Sequence, residues 1–506
     1  MFATVRSATL LGVEGHAVDV EVHVSGGLPG FTVVGSPDSV CREARDRVRA
    51  ALVSSGFTWP NNRITVNLAP SGLRKGGSGL DLAIAIGVLV ASEQVPGGRL
   101  NELAMVGELG LDGTVRRAPG TLSVVDAITA PEVVVAHPAG VEAELVGRHV
   151  VHSVACLRDV AHVLAGIESW PDRPDPEPDD EVSPYRPDLS EVRGHGFGRR
   201  ALEVAAAGGH HILLFGPPGS GKTMLASRLP GLLPPLDPAT AINTTRIHSA
   251  AGLPLPPGGL ILRPPLRAPH SGASAAAVVG GGGSWLCPGE ISLAHGGVLF
   301  LDEMGEFPVD VLESLRTPLE DGVIRVARAQ HRVTFPARFL LVGAMNPCPC
   351  GEGDSPSRCH CSPAALARYG RRLSGPLVDR FDLRVHIDRP ATHDLLGGGP
   401  GESSSAVAER VVVARRRARL RGVEVNARLN GRRLDEAAPL SAEATKVLER
   451  ALEVGSLSAR GLQRVRCVAL TLADLEGDDP PLGVAHVSEA LQMRTNLSFA
   501  DRRLAV

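Results

Sequence analysis

The sequence predicts an α/β protein: a mixed α/β N-terminal part, a central parallel sheet covered by helices, and a mostly helical C-terminal part. Three observations predict it. Apolar and polar residues alternate in the N-terminal segment, as they do along half-buried strands. From about residue 188 to 385, short apolar runs alternate with helical stretches. One of those runs leads into a glycine-rich loop and then a helix, the order that a phosphate-binding sheet unit requires.

The elements follow in order. Val18, Val20, Val22 and Val24 alternate with Asp19, Glu21 and His23, which predicts a strand. Asp38 or Ser39 then caps a helix whose Val40, Ala44, Val48 and Leu52 recur every three or four residues. Ile64, Val66 and Leu68 alternate again, and a helix near Leu80–Ser92 and a strand near Val133–Ala136 complete this part. Residues 169–187, SWPDRPDPEPDDEVSPYRP, are rich in proline and acids with few apolar anchors. That composition suits an extended linker, with an ordered surface loop as the alternative. A second soft spot is LGGGPGESSS at 396–405, and the remainder to Val506 reads as mostly helical. No internal repeat of fixed period is present.

Composition narrows the function classes. The chain has 506 residues, 43% apolar and 21% charged, which excludes a disordered polymer. At ~150 residues per domain it holds about three domains. The longest apolar run, Leu82–Ala91, is half of the ~20 residues that a membrane span needs. The first residues lack an unbroken hydrophobic region with a small-residue cleavage site, so the expectation is a cytoplasmic protein with no membrane partner. A net charge of −3 excludes a basic nucleic-acid coat and leaves only local basic patches. Eight cysteines are too few for a disulfide scaffold, and four of them share one short segment.

HILLFGPPGSGKTMLASRL carries the strongest chemistry. Ile212–Phe215 read as a strand, and Gly216, Pro217, Pro218, Gly219, Ser220, Gly221, Lys222 and Thr223 match GxxxxGK[ST]. A helix follows, with Met224, Leu225 and Leu229 on its buried face. The glycines let backbone N–H groups approach phosphates, Lys222 neutralises them, and the Thr223 hydroxyl ligates Mg²⁺. GGVLFLDE adds a second strand, Val298–Leu301, with Asp302 and Glu303 at its end. Asp302 would contact the metal, and Glu303 would orient and deprotonate the attacking water. A third strand, Phe339–Gly343, runs into Asn346, which can position that water. Asn is also a common strand terminator, so its place alone says little.

These residues resemble the AAA+ ATPases and, more closely, the magnesium-chelatase-like YifB/ComM family. The resemblance covers nearly the whole chain and rests on stretches such as GLPGFTVVGSPDSVCREARDRVRAAL, RITVNLAPSGLRKGGSGLDLAIAIG, PGEISLAHGGVLFLDE, NPCPCG and SARGLQRV. It implies a Lon-protease-like α+β domain at 1–168, the linker at 169–187, an AAA+ P-loop parallel-sheet module at 188–390, and a helical C-terminal lid with a magnesium-chelatase-like extension at 391–506. It implies an ATP- and Mg²⁺-dependent ring motor on DNA, a hexamer, driving branch migration in natural transformation or recombination. By motif, Asn346 looks like the sensor 1 residue, and Arg380 in GPLVDRFDL like an arginine finger that reaches the neighbouring subunit. Arg460 in SARG resembles the sensor 2 arginine, expected to act in cis. Without the family, Arg380 and Arg460 read as surface ion pairs. The family usually has Gly-Gln where this chain has Gly194-His195, near the expected adenine pocket, and often a His pair where it has His270-Ser271.

Lon-like domains use a Ser–Lys dyad. RKGGSGLDL places Ser78 near the nucleophile's position, but in GELGLDGTVRRAPGTLSVV the residue where the amine should stand is Leu122, and Lys75 lies on the other motif. Without a base the hydroxyl stays a weak nucleophile, so the domain is expected to be non-catalytic.

Cys348, Cys350, Cys359 and Cys361 lie within fourteen residues of one another, directly after Asn346. Four thiolates can complete a tetrahedral Zn²⁺ site, although C-x-C is tighter than the commoner C-x₂₋₄-C, and inert loop thiols are the alternative. His360 is a substitute ligand. Cys41, Cys156, Cys287 and Cys467 are scattered and expected to be buried packing.

Val323–Arg328 and Arg332–Phe335 read as a β-hairpin, which relatives place in the ring's pore. Arg325, Arg328 and Arg332 would meet DNA phosphates there, on branched or single-stranded DNA without sequence preference. The arginine-rich helix AERVVVARRRARLRG, with Arg415, Arg416, Arg417, Arg419 and Arg421, is a second candidate, and a solvated or ion-paired face is the alternative for both. The readings that compete with a DNA motor are a magnesium-chelatase motor subunit, an ATP-binding scaffold or regulator, and an ATP-dependent protease.

Overall fold

The computed structural model describes residues 1–172, 187–281, 286–327, 332–353, 358–397, 399 and 401–495. Most of the expected linker, the turn of the expected hairpin with Arg328, and residues 398 and 400 of the second soft spot lie outside the described residues.

The N-terminal part is built on a seven-stranded mixed sheet. Its order is Gly30–Val34, Arg63–Ala69, Glu14–Ser25, Phe2–Leu11, Leu103–Val106, Glu132–Ala136 and Val150–Val154. Period-two patterning explains the long strands: Val18, Val20 and Val22 are buried while Asp19 and His23 face outward. The register brings Val20 opposite Val5 on one side and Leu68 on the other, which joins three apolar rows into one face. Helix Asp81–Ala91 lies on that face with nearly every residue buried. Each such aliphatic side chain contributes about 1.5–3 kcal/mol of transfer free energy. Helix Ser39–Ser54 starts where expected, because the Asp38 carboxylate accepts from the Cys41 N–H. Its buried row is Cys41, Ala44, Val48, Ala51 and Leu52, with Val40 at the edge.

The central sheet has five strands, all parallel, in the order Leu266–Arg267, Val298–Leu301, Leu340–Met345, Ile212–Phe215 and Leu383–His386. Its main strands are continuous apolar runs because helices cover both faces. The helix after the phosphate loop is shorter than expected. It spans Lys222–Ala226, and a 3₁₀ turn at Leu229–Leu232 replaces its continuation, since Pro230 cannot supply a helical N–H. The expected hairpin is present as Val323–Ala327 paired antiparallel with Arg332–Pro336.

The C-terminal part is helical: Ser404–Leu420, Gly431–Ala437, Ala442–Glu453, Ala459–Glu476 and Val484–Gln492. Its apolar faces share one core with the helix Gly196–Gly208 and one side of the central sheet. Among the described residues no helix is long and apolar enough to cross a membrane.

The N-terminal part is docked on the central one through a buried carboxylate. Glu142 accepts from the Leu122 N–H at 2.7 Å, from Arg117 at 2.8 Å and from the Ser249 hydroxyl. Ser249 belongs to helix Pro238–Ala250, which packs on helix Thr121–Asp126, and Arg246 pairs with Asp126 at 2.5 Å. A buried charge with three donors is satisfied only while the two parts stay together.

Candidate active site

Parallel strands place their C-terminal ends on one edge of a sheet, and three of them converge here. Phe215 lies opposite Met345, and Leu301 opposite Gly343. The residues that follow are Gly216, Asp302 and Asn346, so sheet topology gathers what the sequence kept far apart.

Gly216 shows why the loop begins with glycine. A Cβ there would stand 2.1 Å from the Ile387 carbonyl oxygen, at the end of the neighbouring strand. The chain then folds through Pro217, Pro218, Gly219, Ser220 and Gly221 so that it encircles the Lys222 amine. That amine donates to the carbonyls of Gly216 and Pro217, both at 2.8 Å, and to Asn346 Oδ1 at 3.2 Å. Thr223 Oγ1 donates to Asp302 Oδ2 at 2.8 Å, and Asp302 Oδ1 accepts the Glu303 N–H at 2.9 Å. Glu303 adopts a left-handed backbone at φ 49°, uncommon for a residue other than glycine, and its side chain is exposed. Glu303 thus combines a strained backbone with an exposed carboxylate at the strand end beside the glycine-rich loop.

The residues fit a nucleotide phosphate with its metal. An ammonium ringed by carbonyls is a counter-charge ready to turn to an anion, and the Thr223–Asp302 pair offers two hard oxygens to Mg²⁺. The His195 ring lies against the same loop, with Nε2 3.1 Å from where a Cβ of Gly221 would be. Burial lowers the His195 pKa, against the opposing pull of Asp394 and Asp388. His270 is exposed on a turn, where its Nδ1 accepts from the Gly272 N–H.

Arg380 and Arg460 are not brought to this edge. Asp382 and Leu383 both donate backbone N–H groups to the His211 carbonyl, at the N-terminal end of the strand that leads to Gly216. Five residues at about 3.3 Å each put Arg380 ~16 Å of strand away from the Lys222 loop of its own chain. Arg460 accompanies it: burial first, then the nearby charges of Arg460 and Arg464, lower the Arg380 pKa. Arg464, one turn further along the same helix, pairs with Asp382 at 3.1 Å. Arg380 therefore stands at the opposite end of the strands from the Lys222 loop, and the helix that carries Arg460 meets that end through Arg464.

Other expected residues divide. Arg325 is exposed and pairs with Asp321 at 2.6 Å, and Arg332 is exposed. Arg328 lies outside the described residues. In the arginine-rich helix, Arg415 is turned inward onto the Ala206 carbonyl, at 2.8 Å from Nη2. Arg417 and Arg421 both bind buried Asp474. Those three hold the helix bundle together, which removes them as a phosphate-facing stripe. Ser78 donates to Glu108, and the Lys75 amine turns away to the Pro70 carbonyl. Leu122, which the motif puts at the amine's position, is buried. Cys41 and Cys467 are buried as expected, whereas Cys156 and Cys287 are partly exposed.

Two contributors were missed. The Tyr369 hydroxyl donates to the Asn346 carbonyl at 3.2 Å, and Glu320 pairs with Arg380. No spacing marks either, because each partner is distant in sequence.

Three family models match the chain. The model described as magnesium chelatase, subunit ChlI, matches residues 188–395, that described as subunit ChlI of Mg-chelatase matches 20–137, and that described as the subunit ChlI C-terminal region matches 401–494. The chain is 45% identical to an uncharacterised protein of Mycobacterium tuberculosis, across 96% of this chain and 97% of that one. It is 43% identical to the uncharacterised protein YifB of Escherichia coli, across 97% and 96%. It is 42% identical to the competence protein ComM of Haemophilus influenzae, across 99% of both chains.

Proposed function

The chain belongs to the YifB/ComM family of magnesium-chelatase-like AAA+ ATPases, and from that premise we propose that it is a Mg²⁺-dependent ATPase that assembles into a ring and drives branch migration of DNA. The observation that carries the reading is the convergence of Lys222, Thr223, Asp302, Glu303 and Asn346 at one sheet edge while Arg380 and Arg460 stand at the other. A ring reconciles the two edges, because one subunit's far edge can meet the next subunit's nucleotide.

Bound ATP and Mg²⁺ supply the phosphoanhydride and its counter-charge. In this reading the Lys222 amine leaves its loop carbonyls for the β- and γ-phosphates, and Thr223 and Asp302 hold the metal. Glu303 accepts a proton from water that Asn346 orients. Arg380 and Arg460 of the adjoining subunit meet the charge that develops as the terminal bond breaks. The exposed hairpin arginines Arg325 and Arg332 face DNA phosphates. The N-terminal part, Lon-like in its motifs but without an amine beside Ser78, serves as a scaffold for assembly. The four clustered cysteines hold a structural zinc ion.

The family models favour a second reading, a motor subunit of magnesium chelatase, because all three carry that subunit's description. One experiment separates the two. ATP hydrolysis and strand exchange are measured on a synthetic four-way junction and on plain duplex, at two salt concentrations. Stimulation by the junction that weakens with salt supports the DNA motor. Turnover indifferent to both DNAs sinks it and favours the chelatase reading.

A further inference from the structure

We propose that the four-cysteine zinc site is a clasp on the nucleotide cradle, so that metal occupancy at Cys348, Cys350, Cys359 and Cys361 sets how firmly Asn346 and the phosphate loop are held for ATP. The inference rests on the ATP-site reading above and adds a control point to it.

The sulfurs are placed for one ion. All four lie within 4.8 Å of one another, with Cys348–Cys359 at 3.9 Å, Cys350–Cys359 at 3.8 Å and Cys348–Cys350 at 3.2 Å. Tetrahedral zinc with Zn–S bonds of about 2.3 Å requires sulfur–sulfur edges of about 3.8 Å. Two of the three pairs match, and the tight C-x-C pair falls short of it. Cys348 is buried and Cys350 exposed, which gives the ion both an anchor and an entrance.

The chain ties this cluster to the cradle at both ends. Cys348 stands two residues after Asn346, the acceptor of the Lys222 amine. Cys361 stands two residues before helix Pro363–Gly370, which Ser362 caps by accepting from the Ala365 N–H. Tyr369 of that helix returns to Asn346, donating to its carbonyl. The same ring fills the space at Gly305, where a Cβ would lie 2.7 Å from Tyr369 Cζ, two residues beyond Glu303. Between the cysteines, Gly351 presses on the phosphate loop itself: a Cβ there would be 2.5 Å from Pro218 Cγ, and its φ of +82° suits glycine alone. Glu352 is held by Arg389 at 3.1 Å, just past the strand next to Gly216. The two ends of this segment thus brace Asn346, the Glu303 turn and Pro218. A metal that joins the ends fixes all three.

The test uses the full chain, purified under reducing conditions. Zinc is counted by mass spectrometry, ATP affinity is read with a fluorescent nucleotide, and the ion is removed with a chelator selective for Zn²⁺ over Mg²⁺. We expect one zinc per chain, a loss of affinity on the order of tenfold on stripping, as outer-shell support of a site commonly shows, and recovery on adding zinc back. Tyr369→Phe should keep its zinc but lose most of the difference between loaded and stripped protein, because the path through Asn346 is cut. Reduced protein with all eight thiols titratable, no zinc and full affinity overturns both the metal site and the clasp. Bound zinc whose removal leaves affinity unchanged overturns the clasp alone. Loaded wild type that binds no better than Lys222→Ala overturns the ATP-site reading, and the clasp with it.

Discussion

Arg380 and Glu320 form an ion pair within one chain, and the pair sits at the foot of the hairpin. Glu320 lies in helix Arg316–Asp321, which passes through Gly322 straight into strand Val323–Ala327. Arg380 is buried, whereas Glu320 is half exposed, so the cation is covered and its partner can move. If Arg380 serves a neighbour's phosphate as proposed above, the ion pair sequesters it through the segment that carries the hairpin. In that reading the Glu320 carboxylate and the neighbour's phosphate compete for one guanidinium, each through a charge-assisted hydrogen bond.

Glu320→Gln should therefore release the guanidinium. The expected outcome is a severalfold rise in ATPase without DNA and a smaller stimulation when DNA is added, read from steady-state phosphate release. Basal turnover that falls while stimulation stays intact would make Glu320 a mere support for the Arg380 side chain.

Lys222→Ala tests the cradle. The amine's three strong bonds go to loop carbonyls and to Asn346, not to the hydrophobic core, so folding should persist. Hydrogen bonds to charged groups contribute about 1.5–3 kcal/mol, which corresponds to a roughly ten- to hundredfold loss of ATP affinity. Titration with a fluorescent nucleotide, beside a circular dichroism spectrum, checks both halves. Unchanged affinity would remove Lys222 from phosphate binding.

What was legible in the sequence was local. The strand, loop and helix around Lys222 are contiguous, and the acids after Leu301 follow an unbroken apolar run, so pattern alone found them. The hairpin and the helix cap at Asp38 are local as well. Pairings across the fold left no such trace. Tyr369 meets Asn346, Glu320 meets Arg380, and Glu142 bridges to Ser249, all between segments that only the folded chain brings together. The arginine-rich helix illustrates a different limit. Its composition suggested a surface for phosphates, but charge content does not say which side of a helix faces Asp474 and the Ala206 carbonyl. Arg460 was legible as a residue, but motif order is silent about which end of a sheet a distant helix covers.

Acid should weaken the base of the central sheet. His295 accepts from the Arg338 N–H at 3.1 Å and His211 from the Leu341 N–H at 3.0 Å, both through Nδ1, so both rings are needed neutral. Burial holds each of them down to about 4. An unfolded histidine titrates near 6.5, so this stability is complete above about pH 6.5 and is lost as pH falls from there toward 4. Thermal melts across that range should show Tm dropping, and His211→Asn with His295→Asn, which keeps the acceptors without the titration, should flatten the drop. Parallel slopes for wild type and the double variant would assign the acid sensitivity elsewhere.

Arg460 is expected to act in cis, yet its helix meets the Arg380 end of the strands, and mixed rings can read which nucleotide it serves. Glu303→Gln subunits lack the acid that activates water but carry both arginines. Arg380→Ala subunits carry the acid but offer the neighbour no finger. When the two are mixed, an Arg380→Ala site that borders a Glu303→Gln subunit is complete, so ATPase should return in part, with a maximum at intermediate ratios. The same holds for Arg460→Ala only if Arg460 also acts across the interface. Were it to serve its own chain's nucleotide, an Arg460→Ala site would lack it whatever the neighbour, every Glu303→Gln site would lack the acid, and no mixture would recover. The ~16 Å of strand between the Arg380 end and the Lys222 loop predicts recovery for both pairs. Recovery for Arg380→Ala but none for Arg460→Ala would mean that the lid helix Ala459–Glu476 swings its first turn to the opposite edge when ATP binds.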